Sequence, residues 1–88
     1  MCTMIAQQLN VNGSGKTGQA WTRVNQASVS YDHPFDMQLE YSLNLDFTNQ
    51  AGARVAVELD AASARALVAA IQAVMHQAEA GGFIEASR

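Results

Sequence analysis

From Leu39 to Phe47 large apolar side chains alternate with polar ones without a break: Leu39-Glu40-Tyr41-Ser42-Leu43-Asn44-Leu45-Asp46-Phe47. A period of two predicts a strand with Leu39, Tyr41, Leu43, Leu45 and Phe47 on a buried face and Glu40, Ser42, Asn44 and Asp46 on the other. After the turn-rich Thr48-Asn49-Gln50-Ala51-Gly52, the alternation resumes in Val55, Val57 and Leu59, with Arg54 and Glu58 pointing away. An interval of that length predicts an antiparallel pair. Upstream, Ile5, Leu9 and Val11 share one parity in a first strand, and Ala27, Val29 and Tyr31 share one in a second. Between Val24 and Ala27 the apolar phase flips, which predicts a bulge or bend near Asn25 and Gln26.

The period then changes. Asp60 is a good N-cap ahead of Ala61-Ala62-Ser63-Ala64-Arg65-Ala66-Leu67-Val68, a run of strong helix formers. Ala64, Leu67, Val68, Ile71, Val74, Met75 and Ala78 recur at spacings of three and four, one apolar stripe, and Gly81-Gly82 supplies a left-handed stop. A helix from Ala61 to Ala80 is about 30 Å long, and a nine-residue strand is also about 30 Å long. The helix is therefore expected to lie along the sheet and cover one face. The fold class is α+β: a single domain, residues 1–88, with a four-stranded, mostly antiparallel sheet (ββββα) and one C-terminal helix packed on one face. The other face, carrying Glu40, Ser42, Asn44, Asp46, Arg54 and Glu58, is solvated, packed on a partner, or the floor of a site.

Composition adds an expectation about assembly. Of 88 residues, 49% are apolar and only 15% charged, with thirteen Asn and Gln, whereas about 25% charged is usual. A domain this small hides only about 60–65% of its unfolded surface, so a weakly charged one is expected to complete its burial as a homo-oligomer, a dimer or larger. The net charge of -3 and the scatter of Lys16, Arg23, Arg54, Arg65 and Arg88 argue against a nucleic-acid groove. The apolar run Ala66 to Ile71 is too short for a membrane span, which needs about 20 residues. The start, Met-Cys-Thr-Met-Ile-Ala-Gln, lacks the basic and long apolar regions of a secretory signal. A single cysteine, Cys2, cannot form an internal disulfide and fits a reducing, cytoplasmic setting.

Four stretches could carry chemistry. Gly15-Lys16-Thr17 resembles the end of a phosphate-binding P-loop, but the motif's first glycine is replaced by Asn10 and a strand pattern follows where a helix is required, so a flexible loop between strands is expected. In Tyr31-Asp32-His33-Pro34-Phe35-Asp36 a histidine sits among carboxylates and aromatics. Imidazole titrates near neutrality and a neighbouring carboxylate can orient it, so His33 with Asp32 is the candidate acid-base pair; the structural alternative is a strand end in which the two Asp residues cap turns. No second His or Cys lies at a ligand spacing, so no metal and no cofactor is expected, and His76 reads as a solvated helix histidine. Removal of Met1 would leave Cys2 with a free amine that could act as its base, a candidate nucleophile. Trp21, Tyr31, Tyr41 and Phe47 could line an apolar pocket between sheet and helix, and Trp21, Tyr31, Asp36 and Tyr41 are the candidate ligand contacts.

Two resemblances follow from these residues. Met1-Cys2-Thr3 is similar to the start of N-terminal-nucleophile hydrolases of the bile-salt and penicillin acylase type, but over three residues only and in a chain several times shorter than their sandwich. More broadly, Met1-Cys2-Thr3-Met4-Ile5-Ala6-Gln7, Tyr31-Asp32-His33-Pro34-Phe35, Leu43-Asn44-Leu45-Asp46-Phe47 and Arg54-Val55-Ala56-Val57-Glu58-Leu59 with Ser63-Ala64-Arg65-Ala66-Leu67 resemble a family of small uncharacterised actinobacterial proteins. That resemblance spans most of residues 1–80 and implies the same fold and a bacterial cytosolic setting. It also implies histidines in relatives where this chain has Asp36 and Tyr41, hence a metal or acid-base site altered here. The functional expectation is a self-associating protein that binds a small organic ligand through Asp32, His33 and Tyr41. The alternatives are a compact isomerase or cyclase using His33 oriented by Asp32, and a structural or partner-binding module that pairs through the polar sheet face.

Overall fold

The computed structural model describes residues 5–84, so Cys2 lies outside the described residues. Four strands, β1 (Ile5–Thr17), β2 (Ala20–Asp32), β3 (Ser42–Thr48) and β4 (Arg54–Leu59), precede one helix, α1 (Ala61–Ala80). The sheet order is β1-β2-β3-β4 and every neighbouring pair is antiparallel. This is the expected ββββα, an α+β fold. Register carries the apolar face across the sheet: Ile5 lies opposite Tyr31, Tyr31 opposite Leu43, and Leu43 opposite Leu59. Residues opposite one another share a face, so the alternation within each strand adds up to one apolar side.

The phase flip in β2 is real and bends the sheet. Pairing runs from Asn10↔Gln26 to Gly13↔Val24, leaving Val11 and Asn12 on β1 against Asn25 on β2. Beyond this irregularity the β1–β2 ribbon curls toward β4. A Cβ placed on Gly15 would stand 2.9 Å from Val55 Cγ2 and 3.7 Å from Val24 Cγ1, so the glycine is what lets the two outer strands approach. The buried apolar residues, Val24 and Ala27, lie at this end.

The glycine-rich stretch is therefore not a flexible loop. Residues through Thr17 belong to β1 and pair with β2 up to Thr17↔Ala20, leaving Gly18 and Gln19 as a two-residue turn. Gly18 has φ +59, the positive value a type II′ hairpin needs at its first central residue. A strand poor in side chains persists because its pairing with β2 is continuous from Gly13 to Thr17 and Gly15 serves the close approach to Val55. At the β3–β4 turn, Asn49 Oδ1 accepts from the N–H groups of Ala51 and Ala53, and its Nδ2 donates to the Arg23 carbonyl at 2.7 Å.

The third strand starts later than the alternation suggests. β3 begins at Ser42, and Leu39, Glu40 and Tyr41 belong to the connection from β2. The reason is the neighbours: Asp32 is the last β2 partner, facing Ser42, and β4 ends at Leu59, facing Leu43. Beyond Ser42 there is nothing to pair with. Ser42 itself, expected on the open polar face, is fully buried, and its hydroxyl donates to Asn44 Oδ1.

α1 has the expected bounds. Asp60 Oδ1 accepts from the Ser63 N–H at 2.8 Å, and this contact holds the Asp60 carboxyl below its ordinary value. At the other end Gly81 stays right-handed, and the left-handed residue is Gly82, φ +80. Phe83 N–H bonds the Ala78 carbonyl and Gly82 N–H the Glu79 carbonyl, the paired bonds of a Schellman stop. The helix does not, however, close down on the sheet. None of its residues is buried, and a gap remains beneath it. β3 has seven residues, about 23 Å of strand, so a helix of about 30 Å overhangs it. No helix among the described residues is long and apolar enough to cross a membrane.

Candidate functional site

The connection between β2 and β3 folds over one end of the sheet and is pinned at both sides. Asp32 Oδ1 accepts from the His33 backbone N–H at 2.8 Å. The Glu58 carboxylate, reaching up from β4 on the polar face, accepts from three consecutive backbone N–H groups: Phe35 at 2.5 Å, Asp36 at 3.1 Å and Met37 at 3.2 Å. Those donors, Phe35 first, hold the Glu58 carboxyl below the usual glutamate value. Beside it Arg54 makes a two-pronged pair with Asp46, Nε to Oδ1 and Nη2 to Oδ2, which raises the guanidinium pKa further.

His33 lies in this connection. Its Nδ1 is 2.8 Å from the Glu40 carbonyl oxygen. A carbonyl only accepts, so Nδ1 carries the proton, and in the neutral ring Nε2 keeps its lone pair. The ring stacks on Tyr41 with centroids 4.8 Å apart and 21° between planes, and Tyr41 stacks on Tyr31 at 5.9 Å and 22°. The three rings form a ladder around the end of the sheet, from the apolar face at Tyr31 to the polar face at His33. The backbone carbonyl of Glu40, rather than the Asp32 carboxylate, holds the imidazole.

On the polar face a cleft of about 260 Å³ runs past Ser30, Asp32, His33, Asn44, Asp46 and Arg54. Its acidic groups are occupied: Asp32 on a backbone N–H, Asp46 on Arg54, Glu58 on the connection. Among the described residues no three His, Cys, Asp or Glu side chains converge as a cation set. His33 lines the cleft, and each of the three carboxylates beside it already has a hydrogen-bond partner.

The larger opening is on the apolar face. Between the first three turns of α1 and the sheet lies a groove of about 580 Å³, walled by Val29, Tyr31, Leu43, Leu45 and Leu59 below and by Ala61, Ala64, Arg65, Leu67, Val68 and Ile71 above. Only Tyr31 and Arg65 bring polar side chains to it. Of the aromatic residues expected to line such a pocket, Tyr31 alone does so. Trp21 pairs with Lys16 at the hairpin tip and is 67% exposed, ten residues or about 33 Å along β2 from Tyr31. Asp36 donates its backbone N–H to Glu58, away from the groove. Tyr31, Asp32, His33 and Tyr41 are thus brought together, and Trp21 is not. His76 lies on an exposed part of α1. Arg65 and the aliphatic walls were legible only as helix and core positions.

No curated protein and no solved structure matches this chain. A family model does match, over residues 1–84, and the chain belongs to that family, DUF6295, a family of unknown function.

Proposed function

We propose that the protein binds a small apolar organic molecule in the groove beneath α1, with Tyr31 and Arg65 meeting a hydroxyl or acidic group on it. The supporting observation is the groove itself, about 580 Å³ and walled almost wholly by aliphatic side chains. Small-molecule sites run from about 300 to 1,000 Å³, mostly apolar with a few polar groups that fix orientation. The aromatic ladder extends the site: a ligand against Tyr31 is coupled through Tyr41 to His33. The acid-base alternative ranks second because the carboxylates near His33 hold backbone and Arg54, leaving the imidazole without an ionised partner. A cytosolic setting, supported by the lone cysteine, belongs to the same proposal.

Anilinonaphthalene sulfonate, an aromatic probe with an acidic group, tests it. Fluorescence titration is expected to saturate at one probe per chain. Ile71→Trp, which fills the groove, should abolish binding with the circular dichroism unchanged. Arg65→Gln should weaken it about two- to fivefold, the worth of an exposed ion pair. Unsaturable binding, or binding indifferent to Ile71→Trp, overturns the proposal.

A further inference from the structure

We infer that the apolar surface α1 leaves bare beyond the groove is the contact with a second copy of this chain. The surface area points to it. The chain exposes 7053 Å², whereas a folded monomer of 9.4 kDa should expose about 5,000 Å². If the eight residues outside the described range are credited with the full surface of an unfolded chain, about 1,300 Å², the remaining eighty still exceed their expected area by about 1,100 Å². An excess of about 1,100–2,000 Å² per chain corresponds to about 2,200–4,000 Å² per pair, the range of obligate homodimers. The shape agrees: the radius of gyration is 15.0 Å, against about 12 Å for a compact chain of this length.

The bare surface is self-complementary. One part is the far half of the α1 stripe, Val74 and Met75, 63% and 47% exposed. The other is the apolar face of β1, where Ile5, 70% exposed, and Leu9 share a side with Tyr31 and the groove but have no part of α1 over them. Among the described residues, one chain carries an unpartnered helix end and an unpartnered sheet face. A two-fold axis brings each against the other in a second copy, the isologous arrangement that closes without leaving a sticky end. No Asp, Glu, Lys or Arg occurs between Ala66 and Ala78, so burial strands no charge in this helix. A heterologous partner would leave one of the two surfaces bare.

Light scattering after size exclusion is expected to give twice 9.4 kDa for the wild type at 100 µM, and one chain mass for Val74→Glu combined with Met75→Glu, neither of which lines the groove. Lys16→Glu at the hairpin tip should leave the dimer intact. Where the double variant loses its helix, the wild type still decides: its melting temperature should fall by about 5–10 °C over a hundredfold dilution. A wild-type mass of one chain, a dimer that survives the double substitution, or a melting temperature independent of concentration overturns the inference. The dimer does not depend on the ligand: a dimer that refuses anilinonaphthalene sulfonate removes only the proposed function, and a monomer that binds it saturably removes only the dimer.

Discussion

Gly15 offers a test of how the sheet closes. It lies on β1 opposite Thr22, and a Cβ there would stand 2.9 Å from Val55 Cγ2. Carbon atoms sit comfortably at about 3.5–4.0 Å, so Gly15→Ala forces Val55 back by more than half an ångström. Valine strongly prefers one or two χ1 rotamers, and the displacement passes to β4. Overpacking of this kind costs about 1–3 kcal/mol. The φ at Gly15 is not positive, so alanine adds no backbone strain, and the reduced freedom of the unfolded chain offsets about 0.4–1 kcal/mol. The net expectation is a loss of about 0.5–2 kcal/mol, seen as a fall in melting temperature of about 3–15 °C at fixed protein concentration. Val55→Ala alone should cost about 1–2 kcal/mol by lost burial. Combined, the two should couple: the double variant is expected to be at least about 0.5–1 kcal/mol more stable than the separate losses imply. Wild-type stability in Gly15→Ala, or strictly additive losses, would refute the close approach of β1 to β4.

Three further outcomes follow from the connection and the helix start. Because Glu58 has its pKa lowered from 4.5, its contribution is complete above about pH 4.5 and is lost as pH falls through the lower folded value; exchange protection of the Phe35, Asp36 and Met37 amides should disappear in that acid range, and Glu58→Gln should weaken it at neutral pH. Protection unchanged in both conditions would count against the carboxylate as the anchor. Asp60→Ala should lower the helical ellipticity by removing the acceptor for Ser63, whereas Asp60→Ser should retain most of it; equal spectra would mean the cap is idle. In Tyr41→Leu the His33 ring protons should move downfield as they lose the stacked ring 4.8 Å away, and unmoved resonances would mean the ladder is not populated.

Where local pattern and tertiary contact agree, the sequence was sufficient. Leu43 to Phe47, Val55 to Leu59 and the helix from Ala61 to Ala80 lie where the periods place them, and the phase flip before Ala27 marks the register shift. Leu39 to Tyr41 show the limit. Alternation tells which residues could form a strand, but a ladder also needs a neighbour, and β2 ends opposite Ser42 and β4 opposite Leu43. Gly15 shows another: its role is set by Val55, forty residues on, and a missing side chain leaves no local trace. The site was partly legible. Tyr31, Asp32, His33 and Tyr41 do converge, but the group that holds the imidazole is a backbone carbonyl, which no residue type announces, and the anchor of the connection comes from Glu58 on β4. The groove was least legible, because the height of a helix above a sheet depends on what fills the space between them.

That dependence ties the two proposals together. An amphipathic helix in water is marginal until its stripe is packed, and α1 has caps at both ends but no buried residue. The curl of β1 toward Val55 closes one end of the sheet around Val24 and Ala27 and leaves the other end, with Tyr31, Leu43 and Leu59, open beneath the helix. The groove is therefore at the end that carries His33 and the aromatic ladder. A second copy can cover the overhanging half of the stripe without touching the first three turns, and in doing so it fixes the height at which those turns stand above the sheet. The dimer would then set the width of the groove, so ligand affinity should fall in Val74→Glu with Met75→Glu even though neither residue lines it. A groove that binds its probe equally well in monomer and dimer would show that α1 holds its height unaided.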